Sequence, residues 1–255
     1  MQLSKPVPIV RCGPAGAVAE NDEVALEEPL EIRLDGHPIA VVMRTPGHDE
    51  ELAAGFLFTE GIVASLGQVR KIEARPEENR VLAFLADGVE SDPSRHTRRF
   101  FASSSCGICG KATLDAIFTH FPRIEREIHL AEDALLGAPA RLRAAQRTFE
   151  TTGGLHAAGM FSAAGELLIS REDIGRHNAV DKAIGHALLH GIDPAETFLL
   201  LSGRVSFEIL QKALAARIPL IAAISAPSSL AVDFARESGQ TLIGFLRPPT
   251  FNRYS

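Results

Sequence analysis

Hydrophobic and polar positions alternate with a period of two over the first third of the chain, the pattern of half-buried strands. Glu31-Ile32-Arg33-Leu34 and Ile39-Ala40-Val41-Val42 flank Asp35-Gly36, a turn pair that predicts a hairpin. A second hairpin is predicted around Pro76-Glu77-Glu78-Asn79, joining Val69-Arg70-Lys71-Ile72 to Val81-Leu82-Ala83-Phe84. Between them the period lengthens. His48-Asp49 and two glutamates precede Leu52, Phe56 and Leu57, and Gly61 follows, which predicts a helix with an acidic start and a glycine stop.

The second half reads as strands alternating with helices. A helix is predicted over Pro139 to Phe149, ending at Gly153-Gly154. Strands follow at His156 to Ser162 and Glu166 to Ser170, with Ala164-Gly165 as their turn, then a helix from Arg176 to Leu189. Three near-continuous apolar runs come next, at Phe198–Leu201, Leu220–Ile224 and Thr241–Phe245. They end at Ser202, Ile224 and Leu246, 22 residues apart, which suits one strand plus one crossover helix in a parallel sheet. The fold class expected is α/β: an α+β N-terminal part over residues 1–125 and a three-layer αβα domain on a mostly parallel sheet over residues 126–255.

Parallel strands gather the segments after them at one edge of their sheet. These are Ser202-Gly203-Arg204, Ser225-Ala226-Pro227-Ser228-Ser229 and Arg247-Pro248-Pro249. Two lead into helix starts, where free N–H groups favour anions, and two carry an arginine able to grip phosphate. The pattern fits a pocket for a phosphate-bearing ligand, and equally fits Ser206 and Ser228 acting only as helix caps.

Composition narrows the class. The chain has 255 residues, 45% apolar and 23% charged, the profile of an ordinary globular protein able to bury a core without disulfides. A net charge of −6 argues against nucleic acid as the main partner. No apolar run is long enough to cross a bilayer and the N-terminus has no signal-like stretch, so a cytoplasmic protein is expected.

The three cysteines are Cys12, which stands alone, and Cys106 and Cys109 in Ser105-Cys106-Gly107-Ile108-Cys109-Gly110. Structural zinc wants four ligands; the remaining cysteine, Cys12, stands alone, and no His-X3-His follows at finger spacing to complete the set. A thioredoxin-like dithiol opens a helix in a βαβ unit, whereas this pair sits in a serine- and glycine-rich loop. Two ordinary buried cysteines are a third reading. A nucleophilic thiol fits the glycine flanks, with Arg98, Arg99 and Lys111 near in sequence to favour the thiolate. A second polar cluster runs from Ser170 to Lys182 between a strand and a helix, with Arg176 at the helix start and His177 and Asp181 one turn apart. It reads as a capped, solvated helix start or as a site, and its density of functional side chains favours a site. His156, after Gly153-Gly154, is the nearest additional candidate.

Motifs in order along nearly the whole chain resemble the FdhD/NarQ family of formate dehydrogenase accessory proteins. They are Thr59-Glu60-Gly61-Ile62, Cys106-Gly107-Ile108-Cys109-Gly110, Thr152-Gly153-Gly154-Leu155-His156-Ala157-Ala158, Glu172 to Lys182, Leu201-Ser202-Gly203-Arg204-Val205-Ser206 and Gly244-Phe245-Leu246-Arg247. The resemblance implies a sulfur carrier, a sulfurtransferase-like protein that takes persulfide sulfur from a cysteine desulfurase. It would pass that sulfur to the molybdenum bis(molybdopterin guanine dinucleotide) cofactor before the cofactor enters formate dehydrogenase. Cys106 would bear the persulfide, with Cys109 as helper or alternative acceptor. The cofactor's guanine dinucleotide part, which GDP-like nucleotides would mimic, would be held by Phe245, Leu246, Arg247, Pro248, Pro249 and Thr250. Ser202, Gly203, Arg204, Arg176, His177 and Asp181 complete the expected cofactor-binding set. The family resemblance further implies a homodimer and a C-terminal half like cytidine deaminases in fold. Those enzymes hold zinc with His-X-Glu and a later Pro-Cys-X-X-Cys. Here His156-Ala157-Ala158 lacks the glutamate and no cysteine follows Cys109, so no metal is expected. Pro248 and Pro249 remove backbone N–H donors from the C-terminal stretch.

Overall fold

A computed structural model describes residues 2–89, 117–118, 120–125 and 128–255. The Cys106–Cys109 loop, with Arg98, Arg99 and Lys111, lies outside the described residues.

Both predicted N-terminal hairpins form. Strands β3 (Glu28–Leu34) and β4 (His37–Arg44) turn at Asp35-Gly36, and β5 (Val69–Arg75) pairs antiparallel with β6 (Arg80–Leu85). A parallel β3–β6 pairing unites them into a four-stranded sheet, order β4-β3-β6-β5. Alternation puts Leu30, Ile32, Leu34, Val81, Ala83 and Leu85 on one face, where helix α1 (Asp49–Thr59) covers them with Leu52, Ala53, Phe56 and Leu57. Gly61 stops that helix at φ 67°, a backbone conformation that glycine adopts without strain.

Ahead of this sheet stands a two-stranded ribbon, β1 (Ser4–Gly13) and β2 (Gly16–Ala25), that the hydrophobic pattern does not announce because most of its residues are exposed. The Leu26 N–H to Leu3 O bond sets its phase. Pro6 and Pro8 then take the positions whose N–H would point outward, and the free edge of β1 is blunted against pairing.

The second half builds a six-stranded sheet, order β12-β11-β10-β9-β7-β8. Its strands are β7 (His156–Ser162), β8 (Leu167–Asp173), β9 (Thr197–Leu201), β10 (Leu220–Ala223), β11 (Thr241–Arg247) and β12 (Thr250–Arg253). Only β9–β10 and β10–β11 pair in parallel; β7–β8, β7–β9 and β11–β12 are antiparallel. The sheet is therefore mixed, not mostly parallel. The crossover spacing was read correctly, but β7 runs against β8 and β9, and a two-residue connection at Pro248-Pro249 returns the chain as an antiparallel edge strand. The expected helix over Pro139–Phe149 is also corrected. Helix α2 (Glu132–Ala145) starts about two turns earlier and carries Pro139 inside it. Gln146 then breaks the path before a short helix α3 (Arg147–Thr152), which Gly153 closes at φ 65°. Apolar contact of Leu135, Ala138 and Leu142 with the sheet outweighs the one backbone bond that Pro139 forfeits.

Three layers result. Helices α4 (Arg176–Leu189), α5 (Phe207–Ala215) and α6 (Ser229–Ser238) cover one face, meeting Met160, Leu199, Leu201, Ile221 and Leu242. Helix α2 covers the other, meeting Phe161, Phe198, Leu200, Ala222 and Ile243.

The two sheets are joined where α1 lies on α4. A Cβ on Gly55 would fall 1.9 Å from the Asp181 carbonyl oxygen, and one on Gly185 the same distance from that of Glu51. Glycine at both positions is what lets the two backbones touch. Around that crossing the polar groups are paired. Lys212 donates to Thr59 Oγ1 at 3.0 Å, Glu60 Oε1 at 2.6 Å and Asp181 Oδ2 at 2.9 Å. Lys182 reaches Asp173 at 2.7 Å and the Thr45 carbonyl at 2.8 Å. Asn178 donates to the Met43 carbonyl, and Arg171 to Glu51.

Candidate functional site

Strand direction collects the site. Because β7 runs antiparallel to β8 and β9, its first residue, His156, lies level with the last residues of those strands. The ends of β8, β9, β10 and β11 and the start of β7 thus share one edge. Backbone bonds stitch their loops together. Ser202 N–H donates to Ala157 O at 3.0 Å, Val205 N–H to Ala226 O at 3.2 Å, Ser228 N–H to Val205 O at 2.9 Å and Phe245 N–H to Ser225 O at 3.0 Å. Arg247 Nε donates to Ile224 O at 3.1 Å. Ser202, Gly203, Arg204, the Ser225–Ser228 loop and Arg247 are brought together as the sequence spacing suggested, and Phe245 joins them.

Within this edge the parts differ. Phe245 sits at φ 51°, in the left-handed region, beside a register irregularity between Gly244 and Arg247. That conformation costs a phenylalanine on the order of 1–3 kcal/mol and turns its ring outward, 39% exposed, with the Arg247 guanidinium 5.9 Å from the ring centroid. Leu246 faces the other way into the core, and Thr250 pairs with Arg247 across Pro248-Pro249. Ser228 is a true cap, its Oγ accepting from Ala231 N–H at 3.2 Å. Ser206 instead bonds His177 Nε2 at 3.2 Å and donates to the Glu208 carboxylate, so the caps-only reading holds for one serine and not the other.

The electrostatics are one-sided. Burial, then Arg176 and Lys212, push the His177 pKa down to about 4. Burial, Arg176 and Arg204 lower that of His156. Both imidazoles are neutral at pH 7, and the charge of the edge resides in Arg176, Arg204 and Arg247. The Ser170–Lys182 cluster divides between two places. Arg176 and His177 reach this edge. Asp181 does not: it is 2% exposed and committed to Thr59 and Lys212 in the seam between α1, α4 and α5, as Asp173 and Lys182 are to Thr45. Thr45, Glu51 and Lys212 were not singled out from sequence, because each meets its partner from a distant part of the chain. Among the described residues no group of histidine, cysteine and carboxylate side chains is placed to hold a metal, and no helix is long and apolar enough to cross a membrane.

A family model described as FdhD/NarQ family matches residues 25–255. A Nocardia farcinica protein named sulfur carrier protein FdhD is 48% identical over 97% of this chain and 91% of its own length. A Streptomyces avermitilis protein of the same name is 49% identical over 94% of this chain and 90% of its own. The crystal structure of a formate dehydrogenase accessory protein from Desulfotalea psychrophila superposes with a TM-score of 0.81 at 26% identity, covering 100% of this chain and 97% of that one. With its motifs in order and the family match spanning both sheets, this chain belongs to the FdhD/NarQ family.

Proposed function

We propose that this chain is a sulfur carrier that accepts persulfide sulfur from a cysteine desulfurase on Cys106. It delivers that sulfur to the molybdenum bis(molybdopterin guanine dinucleotide) cofactor, its bound substrate, before the cofactor enters formate dehydrogenase. One observation carries the assignment to a residue. A carrier of sulfur needs a thiol, and the segment matching the family, residues 25–255, contains two cysteines, Cys106 and Cys109. Cys12 lies in the exposed ribbon ahead of that segment. Loading is a thiol exchange: the Cys106 thiolate attacks the donor's outer sulfur and the donor cysteine leaves as thiolate. Release as sulfide balances if the Cys109 thiolate then attacks the Cys106 sulfur. A Cys106–Cys109 disulfide forms and hydrosulfide departs to the metal, which gives the second cysteine a defined role.

The edge at β9–β11 supports the nucleotide half of the reading. It offers an outward aromatic ring for a base, an arginine beside it, and helix starts whose N–H groups favour phosphate. We assign the protein to the cytoplasm and to a homodimer on the family resemblance. The test is intact mass after incubation with a cysteine desulfurase and cysteine, for wild type, Cys106→Ala and Cys109→Ala. A reductant-labile gain of one sulfur atom that vanishes in Cys106→Ala is the expected result. No gain in any form would leave a cofactor escort as the better account.

A further inference from the structure

The β1–β2 ribbon has two strands and no layer packed on it along most of its length. Every residue from Val10 to Asp22 is exposed, Val10 and Val18 each at 62%. Its base meets the short helix α3, and Ala25 lies beside Gly154. A two-stranded ribbon is marginal in water by itself, and a third strand or a covered face is what stabilises such a unit.

The two edges of the ribbon differ. The Leu26–Leu3 bond fixes which residues bond across it, and so turns the main-chain groups of Ala17, Ala19 and Asn21 outward from β2. On β1 the outward positions include Pro6 and Pro8, which have no N–H to offer. Strand β2 contains no proline. Near its base the Glu23 N–H is taken by Asp22 Oδ1 at 3.0 Å. Among the described residues the outward N–H groups of Ala17, Ala19 and Asn21 meet no acceptor. One edge is thus protected and the other is open to pairing. Alternation also gives the ribbon one uncharged side, where Pro8, Val10 and Cys12 stand across from Asn21, Ala19 and Ala17. The opposite side carries Asp22 and the Arg11–Glu20 ion pair.

We propose that β2 pairs antiparallel with β2 of a second copy of this chain, about a two-fold axis at Ala19, to make one four-stranded sheet of order β1-β2-β2-β1. A two-fold axis uses the same edge twice. Both open edges close together, and only the proline-blunted β1 edges remain outside. A strand from a different protein would bring a further edge of its own. Charge selects the register. With Ala19 opposite its mate, Ala17 faces Asn21, Glu20 faces Val18 beside Arg11, and Asp22 faces Gly16 of the other copy. Centring on Glu20 or Asn21 instead sets carboxylate against carboxylate, which is destabilising, and centring nearer the turn shortens the pairing. Val10 and Ala19 of one copy and Ala19 and Val10 of the other then form a single apolar row across four strands. The inference rests on the homodimer reading and gives it a surface, in residues ahead of the family match, which begins at residue 25.

Light scattering on the full chain, with site-specific cross-linking, tests it. Wild type should be a dimer. Ala19→Pro removes an outward N–H and no bond of the ribbon's own ladder, and should raise the dimer dissociation constant about tenfold or more. The cross-link is made in a chain whose Cys12, Cys106 and Cys109 are changed to serine. There Ala19→Cys should give a reductant-sensitive covalent dimer on mild oxidation, because a hydrogen-bonded antiparallel pair stands about 5.5 Å apart at Cα, within reach of a disulfide. Asp22→Cys in the same chain should not, being about 20 Å from its mate in this register. A monomeric wild type overturns the homodimer reading and the ribbon pairing together. A wild-type dimer that Ala19→Pro leaves unweakened, or Ala19→Cys linking no faster than Asp22→Cys, overturns the ribbon pairing alone. Sulfur loading is read separately, as mass on Cys106 of the otherwise natural chain.

Discussion

The seam between α1 and α4 and the open edge of the six-stranded sheet draw on the same short run of sequence, Glu172 to Lys182, and treat its charges in opposite ways. In the seam the ions are paired: Asp173 with Lys182, Asp181 with Lys212 and, across the two halves of the chain, Arg171 with Glu51. At the edge, a turn away, the buried Arg176 Nε meets no hydrogen-bond partner among the described residues and the adjacent histidines are held neutral. Polarity alone does not mark a binding residue. A buried charge with a partner holds two sheets together, and a charge without one is available to a ligand.

Changes in the seam should therefore cost stability, and changes at the edge should cost binding. The largest effect is expected from Gly55→Ala or Gly185→Ala. Either methyl meets a carbonyl oxygen at 1.9 Å, and neither backbone can retreat without breaking the crossing. Denaturant unfolding should show a loss of about 3 kcal/mol or more, or no folded protein. Next is Lys212→Met, which strands Asp181 without its cation and should cost about 3–5 kcal/mol. Adding Asp181→Asn should recover part of that loss, and no recovery would break the assignment of Lys212 to the seam.

The pH dependence is smaller and separates the regions. Burial opposes the charge on Glu51, but bonds from Arg171, His48 and His186 outweigh it and hold its pKa well below the ordinary 4.5. Its contribution is present above that value and is lost as pH falls below it. Glu51→Gln should flatten the acid limb of melting temperature against pH. His177 belongs to the edge. Its folded pKa of about 4 lies below the ordinary 6.5, so the unfolded state binds more protons between the two and stability falls as pH drops through that window. His177→Gln should remove that slope and leave the limb below 4.5. The smallest stability effect is expected from Arg204→Gln, within about 0.5 kcal/mol without ligand. A larger loss would place Arg204 with the structural charges.

Much of this was legible beforehand. The two hairpins, α1, α4 and the three apolar strands follow from periodicity and turn chemistry, which act over a few residues. The gathering of Ser202, Arg204 and Arg247 followed from the crossover spacing, and Cys106 and Cys109 stood out by their flanks. Other features were not legible, each for a physical reason. The β1–β2 ribbon buries neither face, so no alternation betrays it. Pro139 suggested a helix start, yet side-chain contacts with the sheet carry the helix through it.

The sequence by itself determined the local elements and the family and singled out the two cysteines that the proposed function uses, because backbone propensity, motif order and cysteine count are properties of the chain read in line. Tertiary structure alone decided which charges are structural and which are free. Asp181 and Arg176 lie five positions apart on one helix, and nothing in their spacing separates them. What separates them is Lys212, arriving on α5 to pair with Asp181, while the buried Arg176 Nε has no hydrogen-bond partner among the described residues. Ion pairing depends on distance in space, and residues far apart in sequence supply it.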